Sequence, residues 1–357
     1  MNKITPLQLF TLMICGRWFS MMTYFPFSND NAQVLMIGIL ISTLIQIILV
    51  IPAVMFQKRY SSENVCTLSL SSNKVTGIGI TVLYLLFFIM VSFFVIGNFT
   101  YFIDYFFADY IPRIMLVICC TLAAVYLAHM NLRVIGKTAM VVIGIFIFTV
   151  IIIVASSFKK FDLVNFNLAV ENLPQSLWKS VRLEFMRNTD LVVFAFLLPD
   201  LNGNAAKTVG WYFAVKVVVL EVVLGFITMI LGDYGMLSKL SLFSLAAYSS
   251  TALIERFDAA FMFLWVMMAI VKLGVYIHCA GKCIKLIVPK TPFVTSVIIS
   301  GVVPALCALG LLLPHRWEEA AYYQGITPLI FIILLYAIIP LIMLLKGKKG
   351  KRKGESS

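Results

Sequence analysis

The stretch AQVLMIGILISTLIQIILVIPAVMF (residues 32–56) has no charged side chain and exceeds the roughly 20 apolar residues that a helix needs to cross a bilayer. The whole chain has the same character, because 61% of its 357 residues are hydrophobic and only 12% are charged. A soluble domain carries about 25% charged residues, and an ordinary core cannot enclose this much apolar surface. The sequence therefore predicts an all-α polytopic membrane protein.

The same length criterion, applied along the chain, predicts about ten transmembrane helices in a single transmembrane domain, residues 1–345, followed by a basic cytoplasmic tail, residues 346–357. The sixth candidate is short and is interrupted by polar residues. The candidate spans are residues 7–27, 32–56, 77–103, 112–130, 134–157, 185–200, 208–232, 257–281, 294–313 and 326–345.

Basic residues in the connections predict the orientation. With the N-terminus inside, sixteen Lys and Arg residues fall on inner segments and nine on outer ones, so both termini are expected to be cytoplasmic. A polar outer connection, residues 158–184, divides the chain into halves of five spans, residues 1–157 and 185–345. Because five is odd, the second half enters with inverted topology, which predicts a LeuT-like 5+5 inverted repeat.

The net charge of +12 is concentrated at the C-terminus. A basic cluster that directly follows an apolar segment is typical of an anchor at an anionic lipid surface, so membrane lipid is the expected partner and nucleic acid is not. The basic residues of the tail are Lys346, Lys348, Lys349, Lys351, Arg352 and Lys353.

The first span contains Gly16 followed by Arg17 in its middle. Charges within spans are costly and are candidates for function. One interpretation is a helix break that presents the arginine to an anionic substrate. The other is an arginine that extends to the interface or pairs with an acid of a neighbouring helix.

The sixth span opens with three adjacent polar residues, Asn188, Thr189 and Asp190, within RLEFMRNTDLVVFAFLLPD (residues 182–200). Such groups at a helix break suit an amine or a cation, and Asp190 is able to carry a proton. Together with Gly16 and Arg17 they form the predicted substrate-binding set.

The alternative is that the charged residues of this segment belong to an amphipathic outer helix, and that the membrane begins at Leu191. Only about ten residues then remain before Asp200, too few for a straight span. This shortage favours a broken helix that lines a cavity. The charged residues concerned are Arg182, Glu184, Arg187 and Asp190.

Three further charges lie within spans. Lys216 and Glu221 are about 140° apart around a helix, so each is expected to pair with another helix rather than with the other. Lys272 lies towards the inner end of its span, where we expect its side chain to extend to the interface. These residues are candidates for intramembrane charge pairing.

The sequence contains no arrangement typical of an enzyme. It has three histidines and no Gly-rich phosphate loop, HExxH or GxSxG motif. Cys279 and Cys283 lie one helical turn apart, next to His278, but without a fourth ligand packing is the better interpretation. No catalytic residue, metal or cofactor is therefore predicted.

Three stretches carry a resemblance: KITPLQLFTLMICG (residues 3–16), LAHMNLRVIGKTAMVV (residues 127–142) and ALIERFDAAFMFLW (residues 252–265). Together with the size and the ten-span plan, they resemble the GerAB-type spore germination permeases, which belong to the amino acid/polyamine/organocation superfamily. The third stretch, in which Glu-Arg and an acid precede a tryptophan, is the most specific.

The resemblance implies the membrane B subunit of a spore nutrient-germinant receptor, working with A and C subunits in the inner spore membrane or the bacterial cell membrane. It implies that a small nutrient, an amino acid in particular, is sensed or transported at the bilayer midplane between spans one and six. Two alternatives stay open: a stand-alone secondary permease for amino acids or amines, and a membrane scaffold whose ligand site has decayed.

Glu255, Arg256 and Asp258 are predicted at the outer end of the eighth span. Glu255 and Asp258 are three residues apart in the first turn of a helix, where negative charge suits the helix dipole. Arg256 lies off that face and is able to pair with another outer segment. We interpret the three as an outer docking group, with direct contact to a ligand as the alternative.

Overall fold

The computed structural model describes residues 3–23, 32–61, 63–107, 111–157, 161–165, 172–238, 241–248, 257–314, 317 and 327–345. Within these residues the fold is helical, as predicted. In chain order the helices are α1 Pro6–Thr23, α2 Ala32–Arg59, α3 Val65–Ser72, α4 Lys74–Phe107, α5 Arg113–His129, α6 Leu132–Ser157, α7 Leu173–Arg187, α8 Asp190–Leu197, α9 Ala205–Leu237, α10 Ser241–Tyr248, α11 Phe257–Ile287, α12 Phe293–Leu312 and α13 Thr327–Ile333, which continues through a π-helical turn, Leu334–Ile338, to residue 345.

Seven of the described helices are long and apolar enough to cross a membrane. The segments are Ala32–Arg59, Lys74–Asp104, Leu132–Ser156, Ala205–Gly232, Ala259–Ile287, Phe293–Leu312 and Pro328–Leu345.

The outside of the bundle is itself apolar. Leu44 is 63% exposed, Ile48 65% and Phe148 64%, although side chains of this kind are normally buried in a soluble protein. A surface of this composition suits lipid, so length, composition and exposure together define a multi-pass membrane protein.

Every predicted span overlaps a helix, but three of the ten do not coincide with a helix of full membrane length. The first corresponds to α1, which ends at Thr23 within the described residues, and the fourth to the shorter apolar helix α5. The sixth corresponds to the pair α7 and α8. Helix α7 begins at Leu173, so the connection predicted over residues 158–184 is partly helical.

Helix α11 lies at the centre of the bundle and packs against α1, α4, α5, α6 and α12. Its side chains are buried over several turns, for example at Trp265, Leu273 and Ile277. Small residues permit the close approach of its neighbours: a Cβ added at Gly281 would lie 2.9 Å from Val297 of α12. Residues 271–281 of α11 are all buried, so the polar side chains of this part of the helix face other helices.

Helices α1 and α8 complete this centre. Fourteen of the 18 residues of α1 are buried, and so are all eight residues of α8. Helix α1 packs against α6, α9 and α11, and α8 lies against α1. The polar side chains of these helices therefore have only protein groups as neighbours, which is the condition for a buried ionic site.

Helix α2 packs closely against α7 and holds it in position beside α1. The closest approach is at Gly38, where an added Cβ would overlap the side chain of Ser180. In contrast, nothing lies within 4 Å of a Cβ added at Gly79 in α4. The two glycines therefore form a matched pair for a test of this contact.

We expect Gly38→Ala to lower the melting temperature of the detergent-solubilised protein, because overpacking a close contact costs about 1–3 kcal/mol. Gly79→Ala should leave the melting temperature unchanged or raise it slightly, because alanine favours helix over glycine by about 1 kcal/mol. Equal effects of the two substitutions would contradict the packing of α2 on α7.

Candidate functional site

The helix that contains the sixth predicted span is broken near its middle. Helix α7 ends at Arg187 and α8 begins at Asp190, with Asn188 and Thr189 between them. The backbone amide of Asn188 still donates to Phe185, and that of Val192 to Thr189, over distances of 3.2 and 3.1 Å. The break therefore directs Asn188 towards α2 and α9, Thr189 towards α11 and the carboxylate of Asp190 towards α1. The expectation of a broken helix is confirmed.

A buried carboxylate, that of Glu184 in α7, binds two cations. One oxygen, Oε2, accepts from Nη2 of Arg17 in α1, and the other, Oε1, accepts from Nζ of Lys216 in α9 at 3.2 Å. Arg17 is 2% exposed and Glu184 4%. Charges buried in this way are stabilised only by each other, because water cannot solvate them.

An amide pair extends this ionic group towards α2. Oε1 of Gln46 accepts from Nζ of Lys216 at 3.0 Å and from Nδ2 of Asn188 at 2.5 Å. Its own Nε2 donates to Ser42 at 3.0 Å, and the hydroxyl of Tyr212 donates to Oδ1 of Asn188. Four helices, α1, α2, α7 and α9, and the break are therefore joined by one network of hydrogen bonds.

A second group surrounds Asp190. Its Oδ1 accepts from the hydroxyl of Tyr276 at 3.2 Å, and that hydroxyl also lies 2.7 Å from Oγ1 of Thr189. Nζ of Lys272 lies 3.8 Å from Oδ2 of Asp190. A Cβ added at Gly16 would overlap the carboxylate of Asp190. Glycine is therefore required at this position of α1 if the start of α8 is to approach so closely.

Part of the hydrogen-bonding capacity of the centre is unused. Nε and Nη1 of Arg17 have no acceptor among the described residues, and Oδ2 of Asp190 has no donor among them within hydrogen-bond distance. The cations Arg17, Lys216 and Lys272 also outnumber the carboxylates Glu184 and Asp190. An unsatisfied buried donor is costly, so an anionic group that reached Arg17 would be bound favourably.

An aromatic cluster closes the centre at the end of the bundle where α1 ends. The ring of Trp265 stacks on Phe19, Phe99 and Phe102, with ring centroids 5.4, 5.5 and 3.9 Å away. Its Nε1 donates to Oγ1 of Thr23 at 3.0 Å. This layer connects α1, α4 and α11 and separates the ionic groups from that surface.

The opposite end is closed by contacts between the start of α1 and the chain that follows α8. Ile4 forms a parallel bridge with Leu201: its amide donates to Asp200 and its carbonyl accepts from Asn202, both at 2.8 Å. Nζ of Lys282 in α11 donates to Asp200 at 2.7 Å. The centre is therefore covered at both ends.

The five predicted substrate-binding residues lie together. Gly16 approaches Asp190 directly, Arg17 pairs with Glu184 at the end of α7, and Asn188 and Thr189 form the break between that helix and α8.

Of the two interpretations left open for Arg17, the structure shows the second: helix α1 continues without interruption through Gly16, and Arg17 pairs with an acid of a neighbouring helix. The expectation for Lys272 was wrong, because its side chain does not extend to the interface but is buried against Gly16. The expectation for Lys216 is confirmed, since it pairs with Glu184 of α7 rather than with Glu221.

Sequence reasoning missed four residues of the network. Glu184 was placed at the end of the outer connection, residues 158–184, and Gln46, Tyr212 and Tyr276 were not singled out. Gln46 had a usable signal, because a polar residue in the middle of an uncharged span is a candidate for function. The two tyrosines had none in so aromatic a chain.

The predicted outer docking group stays a prediction. Glu255 and Arg256, like the basic tail, lie outside the described residues, and Asp258 is the second residue of α11. Among the described residues, no group of three or more His, Cys, Asp or Glu side chains is placed to hold a metal ion. Nδ1 of His278 lies 2.8 Å from the carbonyl of Ala128 instead.

A bundle of membrane-length helices around a buried ionic centre is the organisation of a multi-pass integral membrane protein, and charges buried in this way are candidates for function. The model of the spore permease family, described as "Spore germination protein", matches residues 3–310. The chain therefore belongs to this family of spore germination permeases, and the resemblance found in the sequence is confirmed. A comparison with curated proteins found no match.

We expect Glu184→Gln to destabilise the protein by about 3–5 kcal/mol, because it leaves Arg17 and Lys216 buried without a counter-charge. The measurement is thermal unfolding in detergent micelles. Glu221→Gln is the control and should not destabilise the protein, since Glu221 is only partly buried and neither Arg17 nor Lys216 pairs with it.

The double variant Arg17→Met with Glu184→Met should recover part of the lost stability, because it leaves one buried cation, Lys216, without a counter-charge instead of two. If Glu184→Gln has the same melting temperature as the wild-type protein, Glu184 does not hold the network together.

Proposed function

We propose that the protein is the membrane B subunit of a spore nutrient-germinant receptor, and that it senses or transports a small nutrient, an amino acid in particular, at its centre. Membership of the spore germination permeases supports the role in germination. The observation that supports a ligand-binding site here is Arg17, a buried guanidinium with two nitrogens that lack an acceptor among the described residues.

The chemistry of this centre suits an amino acid. A carboxylate is the natural partner of the unused nitrogens of Arg17, and the positive end of α8 begins beside Gly16. The negative end of α7 lies across the break, where carbonyl groups at a helix terminus suit an ammonium group. Half-helices that end near the bilayer midplane bind the two charges of an amino acid in this manner.

The proposed signal is a shift between two conformations. A ligand carboxylate on the unused nitrogens of Arg17 places a second negative charge beside Glu184, so its affinity differs between states in which the ion pair is closed or open. Such a difference in affinity is the condition for a ligand to shift a conformational equilibrium. Opening of either closed end would follow from the movement of α1, which contributes Phe19 to one end and directly follows Ile4 at the other.

We also propose the finer plan of the fold: ten spans in a LeuT-like 5+5 inverted repeat of the amino acid/polyamine/organocation superfamily, with both termini cytoplasmic. The arrangement is supported by five helices, α1, α2, α4, α5 and α6, before the pair α7–α8 that acts as the sixth span. The proposed partners are A and C subunits of the receptor and, for the basic tail, anionic lipid of the inner spore membrane.

The competing function is a stand-alone secondary permease for amino acids or amines. The observation that favours it is the pair of closed layers, at Trp265 and at Ile4–Leu201, on either side of a central site. A transporter needs two such layers to expose the site to one side at a time. A receptor that only senses its ligand needs one.

In a spore-forming host that carries the gene, we expect deletion to abolish germination in response to at least one nutrient, because the receptor would lack its ligand-binding subunit. Germination is followed by the loss of optical density of purified spores, with the complemented strain as control. An unchanged response to every nutrient tested would refute the receptor function.

We expect Asp190→Asn to raise the nutrient concentration for half-maximal germination roughly tenfold or more, since a charged hydrogen bond at the break is lost. Asp104→Asn is the control, because Asp104 pairs with Arg113 at the periphery of the bundle. Protein levels in the spore membrane are compared by immunoblot. An unchanged dose response at equal protein level would remove Asp190 from the site.

Uptake of labelled amino acids into proteoliposomes that contain the purified chain separates the two functions. Saturable uptake by the chain alone, reduced in Asp190→Asn, is the result expected of a permease. A receptor subunit is expected to bind the amino acid without accumulating it. Binding that is equal for the wild type and Asp190→Asn would contradict the site in either function.

A further inference from the structure

Lys272, in the middle of α11, is enclosed by oxygen atoms. Its Nζ donates to the backbone carbonyl of Gly16 at 2.9 Å and to Oγ of Ser20 at 2.6 Å, and it faces Oδ2 of Asp190 at 3.8 Å. The rings of Phe19 and Tyr276 have their centroids 5.9 and 5.7 Å from the same nitrogen. The residue is 3% exposed.

These oxygens form the kind of group that binds a hard cation. A backbone carbonyl, a hydroxyl and a carboxylate are ligands of ions that prefer oxygen. Oγ of Ser20 also lies 3.2 Å from the carbonyl of Gly16, so the two α1 oxygens converge on one point.

A second observation points to the same place. Oδ2 of Asp190 is buried and has no hydrogen-bond donor among the described residues. It is directed at the ammonium group over a distance longer than a hydrogen bond. An acceptor that is left unsatisfied in a membrane interior needs a positive charge beside it, and Lys272 supplies one.

We propose that the ammonium group of Lys272 is a tethered cation that occupies a site for a small monovalent metal ion, formed by Gly16 and Ser20 of α1 and Asp190 of α8. The charge that holds these two helices together is then part of the chain, and no dissolved Na⁺ is needed. The inference does not depend on the proposed nutrient, because it concerns only the contacts of Lys272.

Gly16 has a particular role in this arrangement. Any side chain at this position would overlap the carboxylate of Asp190 and separate it from the ammonium group. The carbonyl of the same residue is a ligand of that group. One glycine therefore both admits the anion and binds the cation.

The experiment removes the ammonium group of Lys272 by substitution and supplies Na⁺ in its place. In Lys272→Ala the oxygen ligands and the carboxylate remain, and the space of the lysine side chain becomes available. We expect the variant, purified in detergent micelles, to melt below the wild type in N-methyl-D-glucamine chloride. In sodium chloride of equal ionic strength its melting temperature should rise by on the order of 5 °C, because Na⁺ binds only the folded form.

Four controls test whether the response is specific. The wild type should melt equally in both salts. Lys272→Met fills the space without a charge and should remain destabilised in both. Lys282→Ala breaks an ion pair of the same helix at the end of the bundle and should show no preference for Na⁺. Adding Asp190→Asn to Lys272→Ala should abolish the rise in sodium chloride.

The proposal is overturned if Lys272→Ala melts equally in the two salts, if the wild type also requires Na⁺, or if Lys272→Met responds as Lys272→Ala does. If Lys272→Ala is not recovered folded, Lys272→Ser takes its place, since it leaves nearly the same space and adds a hydroxyl ligand. Failure to recover either variant in sodium chloride also counts against the proposal. None of these outcomes depends on germination or on amino acid binding.

Discussion

The carboxylate of Glu184 accepts hydrogen bonds from Arg17 of α1 and from Lys216 of α9, and no water reaches any of the three groups. A buried carboxylate between two cations is tolerated only in a narrow range of geometries, because each charge left without a partner costs several kcal/mol. The position of α1 relative to α7 and α9 is therefore set by charge, whereas apolar packing in a membrane discriminates weakly between alternative positions. Gln46 and Asn188 extend the same constraint to α2 and to the break.

The contact between Lys272 and Gly16 forms a second connection, from α11 to α1, less than one helical turn from Arg17. The two connections share α1 and the segment around the break, so a displacement of either one acts on the other. A ligand that engages Arg17 would weaken the first connection and leave the second in place. A displacement of α1 at the centre would therefore act on both ends of the bundle, since α1 contributes Phe19 to the aromatic layer and directly follows the bridge at Ile4.

The sequence predicted the helical membrane class, the helices of membrane length and the family, and it placed the candidate site at Gly16, Arg17 and the residues from Asn188 to Asp190. The helix break was inferred correctly from the shortage of apolar residues before Asp200. Two interpretations of Arg17 stayed open, since the sequence does not indicate which acid lies beside it in the folded protein. Glu184 was assigned to the surface for the same reason: a charge beside other charges looks solvated until its neighbours in space are known. Lys272 was misplaced because distance from a span end says nothing about how deeply a helix is enclosed.

Composition and the length of apolar segments by themselves determined that this chain is a helical membrane protein, because the cost of exposing backbone and charge to lipid depends on residue type and local spacing alone. They also determined which charges are exceptional. Only the tertiary structure decided what those charges do. Pairing of Arg17 with Glu184, 167 positions along the chain, and of Lys272 with Gly16, 256 positions away, depends on the packing of distant helices. Residues 32–56 are therefore identified as a span from sequence alone. The role of Gln46 within them depends on Asn188 and Lys216, which only the fold brings beside it.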